Sequence, residues 1–182
     1  LERFKKGGTS TESKQDETDI REKQVSQTSE SADLAIQHDR ENFKKLDDIT
    51  NEQQFYAYFY SLQAGHRFSS EIDHKLAKYD YFTQFEGYKY VNRDLQNLHE
   101  KFIECWATLD KHISPHTFPL DSDTSTLKVH FPVPGDEHWR WATEEKLNQL
   151  NEEFDSEFTK LTDNAEKAYS TYRAAIRDIL YI

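Results

Sequence analysis

The chain has no methionine, a single cysteine, five glycines and four prolines in 182 residues. One cysteine, Cys105, excludes an internal disulfide and fits a reducing compartment. The scarcity of glycine leaves no Gly-rich loop able to cradle phosphate. No apolar run approaches the roughly 18 residues a membrane-spanning helix needs, and no secretory signal pattern is visible. Without a start residue, the chain is expected to be a piece of a longer product. Basic residues are outnumbered 23 to 34, for a net charge of −11. Phosphate backbones need clustered Lys and Arg, so DNA is not expected as a partner.

What is present is aromatic: twelve Phe, ten Tyr and three Trp, against only 35% apolar and 31% charged residues overall. Aromatic rings bury much area each, so this composition supports a narrow core and an elongated helical shape. The first residues, LERFKKGG, place Arg3, Lys5 and Lys6 before a Gly pair. That pattern suits either the flank of a membrane anchor upstream of Leu1 or the end of an exposed helix. Residues 9–34 hold few apolar side chains and read as a tether or a lone solvated helix. We therefore divide the chain into a polar N-terminal segment, 1–34, and a helical bundle domain, 35–182.

Within the bundle domain, Ile36, Phe43 and Leu46 fall at helical spacing. Thr50 and Gln53 have the spacing of a capping box, so a second helix is expected to start there. Phe55, Phe59 and Leu62 share its face, with Gly65 as C-terminal cap and Ser69 or Ser70 capping the next helix. No proline interrupts Ile72 to Ile113, which reads as one long helix with Gly87 as its weak point. Val91, Leu95, Leu98, Phe102, Cys105 and Leu109 form a heptad seam along it. A matching helix from about Glu137 to Leu180 repeats Leu147, Phe154, Leu161, Ala168 and Ala175, with Phe158, Ala165, Tyr172 and Ile179 in a second register. Folded back on each other, the two would bring Phe82 and Phe85 against Ala165 and Ala168, large against small. The helix of Phe55 and Phe59 would then cover the far end, near Ile176 and Ile179. The expected fold is all-α: an elongated antiparallel helical hairpin, or three- to four-helix bundle, with coiled-coil character.

All four prolines lie between residues 115 and 134, in an irregular elbow assigned to 114–136. Asp121 to Ser125 is turn-like, and Leu127, Val129 and Phe131 alternate with polar residues as in a short strand. That strand has three options: pairing with HTFPL despite Pro119, lying extended over the helices, or adding to a sheet of a partner. Asp136 suits a helix cap. Trp139 and Trp141 cannot point the same way on a helix, so either both pack the elbow or one anchors the loop and the other reaches solvent. Trp139, Trp141, Phe131 and Val129 are the candidate contacts for a protein partner.

Two chemical readings compete with a purely structural one. Arg67 and His74 have an R-x6-H spacing that resembles the catalytic motif of the HEPN ribonuclease family. The resemblance covers those two residues. It implies a helical bundle in which Arg67 and His74, usually from paired subunits, act on an RNA phosphate, although Phe68 follows Arg67 where the family usually has a polar residue. His112, His116, His130 and His138, with Asp121 and Asp123 nearby, offer zinc-ligating side chains around the elbow. Cys105 on the seam reads as a small buried hydrophobe.

The reading preferred from sequence is a non-enzymatic interaction or scaffold module without cofactor, cytoplasmic, with tethering through a segment upstream of Leu1 as a further expectation. Its partner would be a protein or a second copy of the chain. The alternatives are the HEPN-like nuclease or toxin component and the signal-relaying helical domain of a membrane sensor.

Overall fold

The computed structural model describes residues 12–120 and 123–182. Among them it is mostly helical, with α1 (Glu12–Ile49), α2 (Glu52–Gly65), α3 (Ser70–Thr83), α4 (Arg93–Ile113) and α5 (Glu144–Leu180). A small antiparallel sheet of β1 (Arg67–Ser69), β2 (Thr117–Leu120) and β3 (Asp123–Val129) has β3 at its centre. No described helix is long and apolar enough to cross a membrane.

The most extensive contact between helices joins α4 to α5. Ring pairs define it: His112 with Phe154 at 4.6 Å, Phe102 with Tyr169 at 5.0 Å and His99 with Tyr172 at 4.9 Å. Numbers fall on one helix as they rise on the other, so the two run antiparallel. The buried positions of α4 are Leu95, His99, Phe102, Trp106, Leu109 and Ile113. They alternate in steps of four and three, which keeps them on one face of the helix.

This seam corrects the expected one. Leu95, Phe102 and Leu109 are buried as expected, but Leu98 and Cys105 sit half-buried at its flank, and Val91, outside the helix, is 55% exposed. His99 and Trp106 take the inner places, because a neutral imidazole packs as a flat aromatic ring. On α5 the repeat begins as expected at Leu147, Phe154 and Leu161, then passes to Tyr169 and Ile176, leaving Ala168 and Ala175 beside the core. A straight helix drifts by about 20° per heptad, so a strict seven-residue repeat leaves the contact line after several turns.

The expected single helix over 72–113 is two helices, with a short 3-10 turn at Glu86–Tyr88 between them. The break falls around Gly87, and polar groups from elsewhere make it tolerable. The buried carboxylate of Asp39 accepts the amides of Val91 and Asn92 at 2.6 and 2.9 Å. Asn42 donates to the Lys89 carbonyl at 3.0 Å, and the Asn92 side chain caps α4 through the amides of Asp94 and Leu95. Backbone groups that a helix would have satisfied thus find partners on α1 and at the cap.

The register also differs from expectation. α5 starts at Glu144, capped by Thr143, and not near Glu137, so more chain lies in the elbow. Phe82 consequently packs on Tyr88, and Phe85 is 44% exposed; neither has the expected place opposite Ala165 and Ala168. α2 lies beside the middle of α5, with Phe55 4.4 Å from Tyr169 and the Tyr56 hydroxyl bonded to Ser170. The region expected beneath α2 is shared with α1: Arg173 pairs with Asp47 at 2.7 Å and with Glu52 of α2 at 3.1 Å, Arg177 pairs with the same Glu52, and Arg40 donates to the Leu180 carbonyl. α1 runs without a break past Leu34.

Two caps differ by one residue. The capping box is Asn51 with Gln54, not Thr50 with Gln53. The left-handed residue that ends α2 is His66, at φ 53°, and not Gly65, whose place is the last helical residue. Ser69 caps α3 as expected.

Inside the seam, His99 shares a hydrogen bond with the Tyr79 hydroxyl at 3.1 Å, and Tyr90 and Tyr172 are joined through their hydroxyls. Burial pushes His99 down to about 4, so it stays neutral in the fold. The unfolded chain takes up that proton near pH 6.5. Stability from His99 is therefore complete above that pH and is lost as pH falls towards 4. We expect the difference in unfolding free energy between wild type and His99→Phe to shrink by about 3 kcal/mol from pH 7 to pH 4 in urea titrations. A constant difference would contradict a buried neutral imidazole.

Candidate functional site

The elbow builds its own small sheet, which positions the site. β2 and β3 pair antiparallel with Phe118 opposite Lys128 and Thr117 opposite Val129, so the strand does pair with HTFPL. Pro119 lies on β2, an edge strand, where its missing N–H disrupts no central ladder; a register irregularity follows it. The unexpected partner is β1, whose Phe68 faces Leu127 from the far side of β3. Three residues are too few for alternation to announce a strand.

Alternation along β3 separates two faces. Val129 is fully buried, and after the strand Phe131 continues the inner side against Phe154 at 4.9 Å and Phe158 at 5.2 Å. Lys128 and Phe118 point away. Beyond the strand, Asp136 accepts the His138 amide and caps a short 3-10 turn, Glu137–Trp139. Its carboxylate also meets His130 Nδ1 at 3.0 Å and Lys128 at 3.8 Å. The Trp139 indole N–H donates to the His130 carbonyl at 3.0 Å, and its ring stacks on His116. This tryptophan anchors the elbow. Trp141, two residues on, is 68% exposed.

Of the four expected partner contacts, Val129, Phe131 and Trp139 are therefore buried within the chain, and Trp141 alone faces solvent. Trp141 lines an open cleft of about 870 Å3 together with Phe118, Lys128, Val133, His138 and Arg140. Phe118 is 41% and Val133 39% exposed. Sequence reading passed over these two. Phe118 had a usable signal: it alternates with the inward Thr117 and stands opposite a lysine. Val133, in an irregular turn between two prolines, had none.

The histidines of the zinc reading converge only in part. His116 Nδ1 and His138 Nε2 share a hydrogen bond at 3.1 Å, and His130 is engaged by Asp136. His112 lies flat on Phe154, with its Nε2 buried and unbonded. Among the described residues no three His, Cys, Asp or Glu side chains are placed to hold a metal ion. Asp121 lies outside the described residues, and Asp123 is turned to Ser125 and Thr126. Arg67 is exposed on β1, whereas His74 is exposed in α3 with Nδ1 donating to the Ser70 carbonyl at 2.6 Å. The two members of the R-x6-H spacing thus stand on different elements. Burial raises Asp73, with the charge of Asp110 adding to it, and raises Asp110, with the charge of Asp80 adding to it against the Ser114 hydrogen bond.

The chain matches no protein-family model, no curated protein and no solved structure.

Trp106 and Trp139 are buried, so exposed indole emission is expected to come from Trp141. Trp141→Phe should remove most of the acrylamide-quenchable fluorescence and leave stability within about 0.5 kcal/mol of wild type. Trp139→Phe should instead lower stability by about 1–3 kcal/mol, since it loses a buried hydrogen bond and packing. Equal quenching losses from both substitutions would contradict this arrangement.

Proposed function

We propose that the chain is a non-enzymatic helical interaction module that presents an aromatic cleft to a protein partner. In this reading α4 and α5 form an elongated hairpin of coiled-coil character, and α1 to α3 complete a bundle around it. The supporting observation is that Phe118, Val133 and Trp141, three exposed apolar side chains, line one cleft at the elbow. An exposed tryptophan on a braced backbone gives large contact area with little ordering cost on binding.

The helix leading away from the cleft, α5, has 37 residues and is about 55 Å long. A module tethered in the cytoplasm through its N-terminal side would hold the cleft at a defined distance from the tether. Self-association along the half-buried flank of Leu98, Cys105 and Ala168 fits the same reading.

A photo-crosslinking residue at position 141, in the full gene product in its own cells, tests the proposal against the same residue at exposed position 152. A discrete protein adduct at 141 and none at 152 is expected. The purified partner should then bind Trp141→Ala at least about tenfold more weakly, a loss of about 1.4 kcal/mol or more. Identical adducts at both positions, or unchanged affinity of a folded Trp141→Ala, would overturn it.

A further inference from the structure

We infer that the partner enters the elbow cleft with a short acidic segment, whose Asp or Glu side chains pair with Arg67, Lys128 and Arg140 while an adjacent apolar residue seats on Phe118 and Trp141. This pairing rests on the reading of the cleft as a protein-docking surface and adds the chemistry of what docks there.

The sheet sets out the cations. Arg67 of β1 stands directly opposite Lys128 of β3, and Lys128 directly opposite Phe118 of β2. Residues directly opposite in an antiparallel pair share a face, so the three form one row across the outer side of the sheet. Like charges in that relation weaken a sheet. The chain does little to offset this. Asp136 lies 3.8 Å from Lys128, beyond hydrogen-bond length. Its carboxylate is 6% exposed and already accepts from His130 and from the His138 amide. Arg67 is exposed, and among the described residues no carboxylate lies within ion-pair distance of it. The same holds for Arg140, which lines the cleft beside Trp141. Glu137 is exposed on the same wall.

Charge selects the occupant. The chain carries −11 overall, so a continuous array of negative charge, as on a nucleic acid or an anionic membrane, would be repelled by most of its surface. One or two carboxylates on a short segment meet the three cations without meeting the rest. Phe118, Val133 and Trp141 supply the apolar contact. Neighbouring strands lie about 4.8 Å apart, which puts Arg67 about 10 Å and Lys128 about 5 Å from Phe118. An extended segment rises about 3.3 Å per residue, so an acid one to three positions from the apolar residue reaches one cation or the other. Side chains hold the segment, because the edge of β2 is a poor template for a further strand. Pro119 has no N–H to donate, and the Thr117 N–H is taken by the Ser114 carbonyl.

Panning a random dodecapeptide library on the purified chain tests this, with Trp141→Ala as the subtracting surface. Enriched peptides should carry Asp or Glu within about three residues of Trp, Phe or Leu. One such peptide, synthesised, should bind the double variant Arg67→Gln, Lys128→Gln at least about tenfold more weakly than wild type. Its affinity should also fall as salt rises from about 50 to 300 mM. Arg67→Glu with Lys128→Glu should prefer the same peptide with its acids changed to Lys, a rescue that a misfolded variant cannot give. Peptides that need Trp141 but carry no acid, or that bind the double Gln variant in full, would overturn the inference and leave the docking surface standing. An enriched peptide that binds Trp141→Ala as tightly as wild type, or no enrichment at all, would remove both. Tighter binding of oligouridylate or of phosphatidylserine vesicles than of any enriched peptide would also overturn it.

Discussion

The fold depends on a row of rings closed between α4 and α5. Phe102 lies within 5.3 Å of Phe55 and 5.0 Å of Tyr169, and His99 within 4.9 Å of Tyr172. These residues come from three helices, so one aromatic cluster sets the position of α2 against both long helices. A chain with only 35% apolar residues can form such a core because each ring buries a large area. The same economy explains why His99 belongs inside: neutral and bonded to Tyr79, it contributes a ring and leaves no unpaired ring nitrogen facing Tyr79.

Polar groups decide where this row ends. At one end Asp39 and Asn42 of α1 secure the backbone that breaks the helix before α4. At the other, Asp136, His130 and Trp139 secure the elbow through side chain to backbone and side chain to side chain bonds. Both ends solve one problem, which is to satisfy backbone groups that regular structure leaves open. They leave different surfaces. The first exposes Phe85 and Val91, and the second exposes Phe118 and Trp141 beside a cleft.

Much of the helical content was legible in the sequence, because apolar spacing and the absence of proline outside the elbow are direct signals. Local chemistry narrowed the cap of α3 to Ser69 or Ser70, whereas the pairing of the two elbow strands was one of three options left open, and the sequence did not assign which tryptophan, if either, reaches solvent. The inner register was less legible. Val91, Leu98 and Cys105 looked more apolar than His99 and Trp106, and no local rule says that a histidine will be kept neutral by burial and bonded to a tyrosine twenty residues away. The helix break was only half visible, since Gly87 permits it but Asp39, over fifty residues distant, supports it. Of the cleft, Trp141 was in view and Val133 was not, because its position depends on a turn whose geometry no periodicity encodes.

The aromatic row is most directly tested by nuclear Overhauser contacts between ring protons in solution. Cross-peaks joining Phe102 to Tyr169 and His112 to Phe154 are predicted, with none from Phe82 or Phe85 to Ala165. Absence of the first two, or appearance of the last, would contradict the register on which the core, the break and the elbow all depend.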